Sequence, residues 1–188
     1  MTGSVSPRRA DTRRNHERIL AVAAESLSCS AELSFNAIAR KAEVGVGTVY
    51  RHFPTPESLI LAVYEREVRH LVDVVPRLLA EHSPEDAFRT WISEYLAHYM
   101  MTKRGLADAL TVATKSCEKL PANAYEALAG AVSTLVAANV AAGNVRDDLN
   151  PQTVLRGLAG LFYLNPADSW REHTADLTDL IWNGMRKA

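Results

Sequence analysis

The chain has 188 residues, 47% of them apolar and 23% charged, and a formal net charge of −1. It is long enough for one core, or for a small head on a larger body. No uninterrupted apolar stretch of about 18 residues is present, so no membrane span is expected. The polar, basic amino terminus has no apolar segment of the secretory kind. Cys29 and Cys117 are two distant cysteines and make no disulfide framework, so a cytoplasmic, reduced protein with free thiols is expected.

The near-neutral total hides an asymmetry. Through Pro56 there are eight basic and five acidic residues, a net of +3; the remainder has 13 basic and 17 acidic, a net of −4. A basic end on an acidic body is the charge pattern of a protein that touches nucleic acid with one end.

In chain order, residues 1–10 are rich in Ser, Pro and Arg and are expected to be a disordered basic arm. A first helix is expected over about 11–27, burying Ile19, Leu20, Ala23, Ala24 and Leu27. Ser34 is a natural N-cap for a second helix. A third covers 46–52. A fourth begins near Pro56, behind Thr55 as N-cap, and carries apolar residues at spacings of three and four until Pro76 bends or ends it. Ser83-Pro84 opens a fifth, which runs past Trp91, Tyr95 and Tyr99. The sixth spans about 106–116, and the seventh runs from Pro121 to a glycine C-cap at Gly143. The eighth extends from Asn150-Pro151 to about 164. The ninth starts between Asp168 and Thr174 and ends near Arg186. No segment alternates with period two, so the expected fold is all-α with about nine helices. Its domains are expected to be a three-helix head over 11–55 and a larger helical body over 56–188.

The run Lys41-Ala42-Glu43-Val44-Gly45-Val46-Gly47-Thr48-Val49-Tyr50-Arg51-His52-Phe53 carries most of the functional information. Upstream, Phe35, Ile38, Ala39 and Ala42 repeat at helical spacing. Two short helices joined by a tight turn make a helix-turn-helix, whose second helix enters the DNA major groove. On that helix Thr48, Tyr50, Arg51 and His52 are polar, while Val49 and Phe53 pin it to the head's core. Ser34 and the amides of Gly45 and Val46 lie at helix N-termini, which favour phosphate. Gly47 lets backbone approach the groove. Thr48 can meet a thymine methyl or a base edge, and Arg51 is the best candidate for paired hydrogen bonds to guanine. Arg8, Arg9, Arg13 and Arg14 can add salt-sensitive attraction to DNA.

No glycine-rich phosphate loop, nucleophile elbow or paired metal motif is present, so neither catalysis, cofactor nor metal is expected. Glu67 and His70 form a single Glu-x-x-His, and Glu94 and His98 stand one helical turn apart. Neither makes a metal site by itself.

The run from Ile38-Ala39 through Gly47-Thr48-Val49-Tyr50-Arg51-His52-Phe53 to Glu57-Ser58-Leu59 resembles the amino-terminal signature of the tetracycline-repressor (TetR) family of bacterial regulators. Two positions depart from it. Glu43 stands where many such turns have glycine, and Pro56 where many members have a phosphate-contacting lysine. The resemblance implies that Tyr50 and His52 bind phosphates and set register. It also implies a small-molecule pocket in the body, for which Trp91, Tyr95, His98, Tyr99, Thr114, Cys117, Phe162 and Tyr163 are candidate walls. Aromatic walls with few polar tips suit an apolar effector. The last two helices are implied to form a homodimer. Leu155, Gly157, Gly160, Leu161, Leu177 and Ile181 are its candidate interface, with the glycines thinning one helix face. A two-fold dimer places two recognition helices on a palindromic double-stranded DNA site. The expected function is a ligand-responsive repressor released by a small-molecule effector. The alternative is a helical ligand-binding protein or enzyme whose head no longer reads DNA.

Overall fold

The computed structural model describes residues 7–29, 32–116 and 122–187. It contains α1 (Pro7–Cys29), α2 (Phe35–Lys41), α3 (Val46–His52), α4 (Pro56–Asp73), α5 (Val75–Glu81), α6 (Pro84–Thr90), α7 (His98–Thr102), α8 (Arg104–Ser116), α9 (Ala122–Ala141), α10 (Pro151–Leu158) and α11 (Trp170–Met185). A π-helical stretch, Trp91–Ala97, joins α6 to α7, and a 3-10 stretch, Ala159–Tyr163, prolongs α10. Among the described residues, taking α4 with α5, α6 through α7, and α10 with its 3-10 extension as one rod each gives nine, as expected. Extended pairing among the described residues is limited to a single antiparallel bridge between Val145 and Arg186.

The helix starts follow from local capping. Ser34 Oγ accepts from the Ala37 amide, Ser83 Oγ from the Asp86 amide and Asn150 Oδ1 from the Gln152 amide. Each satisfies an amide that the helix itself leaves unpaired. At α4 the cap is reciprocal: Thr55 Oγ1 accepts from the Ser58 amide, and Ser58 Oγ from the Thr55 amide, both at 3.2 Å. Proline follows directly in α4, α6 and α10, where its missing N–H costs nothing. Gly143, at φ 75°, closes α9 in the left-handed conformation glycine tolerates. The first helix begins at Pro7, ahead of the expected residue 11. Residues 1–6 of the expected arm lie outside the described residues.

The described residues form two compact units, and their division differs from the expected one at residue 55. One unit lies within Met1–Glu65 and Lys103–Leu120, the other within Arg66–Thr102 and Pro121–Ala188. In the first, α1 buries Ile19, Leu20, Ala23, Ala24 and Leu27. The same unit includes α8, whose Leu106, Ala109, Leu110 and Ala113 form a buried stripe and which packs on α1. The start of α4 adds buried Leu59, Ile60 and Val63. The head therefore recruits more chain than α1, α2 and α3, because two seven-residue helices cannot bury a core of their own.

The second unit has its own core around Phe88, Trp91, Ile92, Leu96, Val132, Leu135, Leu158 and Trp182. The bend between α4 and α5 leaves the Leu71 carbonyl in the last turn of α4, and the buried Trp91 indole N–H donates to it at 2.8 Å. Within α9, Asn123–Ala141 has the length and apolarity of a membrane span, with a mean hydropathy of 1.3, although none was expected. Its Val132, Leu135 and Val136 belong to this unit's core, and α9 packs on α5, α6 and α10.

Candidate nucleic-acid interface

The turn between α2 and α3 is held by backbone. The Val44 amide donates to the Ala39 carbonyl at 3.0 Å and the Ala42 amide to Ile38 at 2.8 Å. Glu43 takes the left-handed conformation, φ 52°. Gly45, two residues on, is extended at φ −66° and takes none of the left-handed bend. Glu43 thus carries the strained step itself, and its carboxylate accepts from Arg18 Nη2 of α1 at 2.6 Å.

Val49 and Phe53 are buried, so one side of α3 is fastened to the head. Tyr50 and Arg51 are exposed, Thr48 and His52 half-buried. The Tyr50 ring packs on Phe35 of α2, centroids 4.8 Å apart, which orients it while its other face stays in solvent. Arg51 Nε donates to the Gly47 carbonyl at 3.1 Å, which holds the guanidinium stem along the helix and leaves its terminal nitrogens to reach outward. Ser34 caps with its oxygen, and its hydroxyl proton can still be given to a phosphate. Gly45, Val46 and Gly47 are exposed, and Gly45 offers the first turn of α3 no side-chain cap. A Cβ built on Gly47 would meet no atom of the chain within 4 Å.

Charge around this surface is partly neutralised by exposed pairs. Arg14 bonds Asp11 at 3.1 Å, and Lys41 stands 3.8 Å from Glu25. Arg13, Arg14, Glu17 and Arg18 line a shallow hollow on α1. The side chains of Arg8 and Arg9 lie outside the described residues. His52 has its pKa lowered from the ordinary 6.5, first by burial and then by the nearby His16 and Arg51.

Residues 19–63 match the model of the bacterial regulatory proteins of the tetR family, and residues 83–187 match that of the SbtR-like transcriptional regulator C-terminal domain. The chain belongs to the TetR family. Among solved structures it is similar to the TetR transcriptional regulator SCO0520 from Streptomyces coelicolor, with 36% identity, coverage of 92% of this chain and 99% of that one, and a TM-score of 0.76. The TetR regulatory protein from Mycobacterium vanbaalenii is 31% identical over 96% of this chain and 100% of that one, with a TM-score of 0.73. Thermus thermophilus FadR, a TetR-family repressor in complex with lauroyl-CoA, shares the fold at 22% identity, over 92% of this chain and 97% of that one, with a TM-score of 0.63. Among curated proteins none matches.

In this TetR-family regulator the expected pocket residues have different fates. Trp91 is fully buried with its N–H committed to Leu71, so it is a core residue with no surface to offer a ligand. Tyr95 is half-buried; its hydroxyl accepts from Arg77 Nη2 at 2.9 Å and its ring meets His70 at 6.1 Å. Tyr99 is half-buried and His98 exposed. Phe162 and Tyr163 are 53% and 92% exposed on the 3-10 stretch, so within one chain they line no enclosed wall. Cys117 lies outside the described residues, as does the Thr114 side chain.

The expected dimer residues also divide. Leu161 and Leu155 are buried inside the chain and have little surface left for a second copy. Gly157 and Gly160 accommodate α11 of the same chain: a Cβ on Gly157 would meet Ile181 at 3.7 Å, and one on Gly160 would meet Leu177 at 3.3 Å. The close helix approach they permit is internal. Leu177 and Ile181 are half-buried, and on α11 and the 3-10 stretch the exposed large apolar side chains are Phe162, Tyr163 and Leu180. Sequence reasoning missed His16 and the Arg18–Glu43 pair, because nothing in the spacing of α1 links it to the α2–α3 turn.

Proposed function

We propose that this TetR-family regulator is a homodimeric repressor that sits on a palindromic operator and is released by a small-molecule effector in the cytoplasm. The observation that carries the DNA contact is the two-sided α3: Val49 and Phe53 buried, Tyr50 and Arg51 exposed, with Thr48 and His52 half-buried beside them. Arg51 reads a guanine, Thr48 a base edge, and Tyr50, His52 and Ser34 hold phosphates. Exposed Phe162, Tyr163 and Leu180 supply apolar area for the second copy, and two-fold symmetry then spaces the two α3 helices on a palindrome. Half-buried Tyr95 and Tyr99 remain candidate effector contacts.

The effector acts by preferring one state of the body. Helix α4 runs from the first unit into the second, which supports it as the element through which effector and operator compete. A coupling of about 1–3 kcal/mol changes DNA affinity roughly 5- to 150-fold. The Thermus protein of the same fold is a repressor that holds lauroyl-CoA, which supports a response to a small molecule.

The test is a fluorescence-anisotropy titration against the best duplex selected from a random pool, with a scrambled control, at two salt concentrations. Tight, sequence-dependent binding is expected. Thr48→Ala, Tyr50→Ala and Arg51→Ala should each weaken it, Arg51→Ala by about 1–3 kcal/mol, with the dimer intact. If all three variants bind like the wild type, the assigned face is wrong. Binding equal on both duplexes and abolished by salt would favour the carrier or enzyme reading.

A further inference from the structure

Three aromatic rings meet at the end of α3. His16, from α1, stacks on Phe53 with centroids 5.0 Å apart and planes 29° apart. The same ring lies 5.4 Å from His52, tilted by 59°. Phe53 is buried, so His16 is lodged against the head's core while it touches the last residue of the recognition helix. We propose that His16 is a positioning residue for His52, and that this pair makes DNA binding take up one proton from solvent. The inference rests on the reading that α3 meets DNA.

The electrostatics follow from what surrounds His52. Burial disfavours its charged form, and His16 and Arg51 oppose that charge further, so its pKa lies below 6.5. The neighbouring elements carry Arg13 and Glu17 within a turn of His16 on α1, Arg40 and Lys41 in the last turn of α2, and Glu57 in the first turn of α4. Lys41 is engaged with Glu25. Burial, His16 and Arg51 all act against the charge on His52, so the free head disfavours its imidazolium form. A DNA phosphate within hydrogen-bond reach supplies the anion the protein withholds, and the imidazolium becomes the favoured form. The proton comes from solvent and rests on a ring nitrogen of His52.

The sign follows from linkage. The complex binds one more proton than the free protein between the free-state pKa, below 6.5, and the raised pKa of the complex. Affinity therefore rises as pH falls through that window, by up to about tenfold per pH unit for one proton. Below the free-state value both states are charged and the dependence disappears.

The experiment measures binding from about pH 5.5 to about pH 8.5, the histidine range, at constant ionic strength. Two probes are used: the pool-selected duplex, and an unrelated duplex at low salt, which reads the phosphate contact without sequence. NMR titration of the His52 ring protons in the free protein runs alongside. Wild type should bind more tightly as pH falls, and His52→Asn, which keeps a donor but does not titrate, should be flat. His16→Phe keeps the stack on Phe53 and should raise the free-state pKa of His52, moving the pH dependence upward. His16→Gln serves if the Phe variant folds poorly. A merely structural His16 would change the melting temperature and leave the His52 titration where it was. A pH slope that survives in His52→Asn, a flat wild type on both duplexes, or a His52 titration unmoved by either His16 variant overturns the proposal. Absence of any sequence preference at all pH values would instead overturn the operator reading, with proton uptake on the unrelated duplex still measured.

Discussion

Glu43 shows how a strained residue is kept in place. A left-handed φ costs a residue with a Cβ about 1–2 kcal/mol. Its bond to Arg18 is exposed and returns at most about 1 kcal/mol. The larger hold is burial on both sides of the turn, by Ile38, Ala39 and Ala42 before it and Val49 after it. Gly47 is the opposite case. Its φ is not left-handed, and a Cβ would touch nothing in the chain, so no internal contact requires glycine there. Gly47→Ala should leave the thermal melt unchanged or raise stability by up to about 1 kcal/mol. Duplex affinity should nonetheless fall by about 1 kcal/mol or more, roughly fivefold. A variant that binds as tightly as the wild type would place the DNA farther than a methyl's reach from α3.

At the scale of elements, the body is joined by polar contacts at helix ends. Asn139, fully buried on α9, donates from Nδ2 to the Pro84 carbonyl at 2.8 Å and to the Leu135 carbonyl at 2.9 Å, and its Oδ1 accepts from Asn144 Nδ2. One side chain thus fastens the start of α6 to α9 and to the turn that follows it. Asn139→Ala strands buried partners and should cost about 1–3 kcal/mol in a urea melt. A loss under about 0.5 kcal/mol would mean that these carbonyls find other donors. Arg89 makes a second link, bonding Glu85 on its own helix and Asp179 of α11 while lying over the Trp182 ring at 5.3 Å. Burial opposes its charge, but the two carboxylates prevail and raise its pKa. The π-helical stretch widens the backbone just where Trp91, Ile92, Leu96 and Ala97 enter the core, a local irregularity often found at functional segments.

For the whole molecule, the question is which apolar surface a single chain leaves open. Leu180 is 71% exposed on α11 and Tyr163 92% exposed on the 3-10 stretch, and these two elements pack together. Leu180→Glu removes apolar area from that surface without touching a core. The variant should keep its helical content, sediment as a monomer, and lose most operator affinity, since one half-site contact remains. Wild-type sedimentation at equal concentration would move the interface to another face. On the proposed reading, in which the basic head meets DNA, salt dependence is set by the phosphates that its Arg and Lys neutralise.

Much of this was written locally in the chain. Ser34, Thr55, Ser83 and Asn150 announce helix starts because a cap bonds an amide two or three residues away. The helix-turn-helix was legible for the same reason: its turn, its buried Val49 and Phe53 and its polar face fall within one short run, where helical spacing alone sorts inside from outside. The sequence by itself therefore determined the class of fold, the helix-turn-helix head and the family to which the chain belongs. Tertiary structure decided what depends on residues far apart in the chain. It placed α8 on α1, gave the Trp91 indole to a carbonyl twenty positions away, brought Leu177 and Ile181 of the same chain against Gly160 and Gly157, and set His16 beside His52. Periodicity states that a face is buried but not what buries it; that partner is chosen by packing among distant segments.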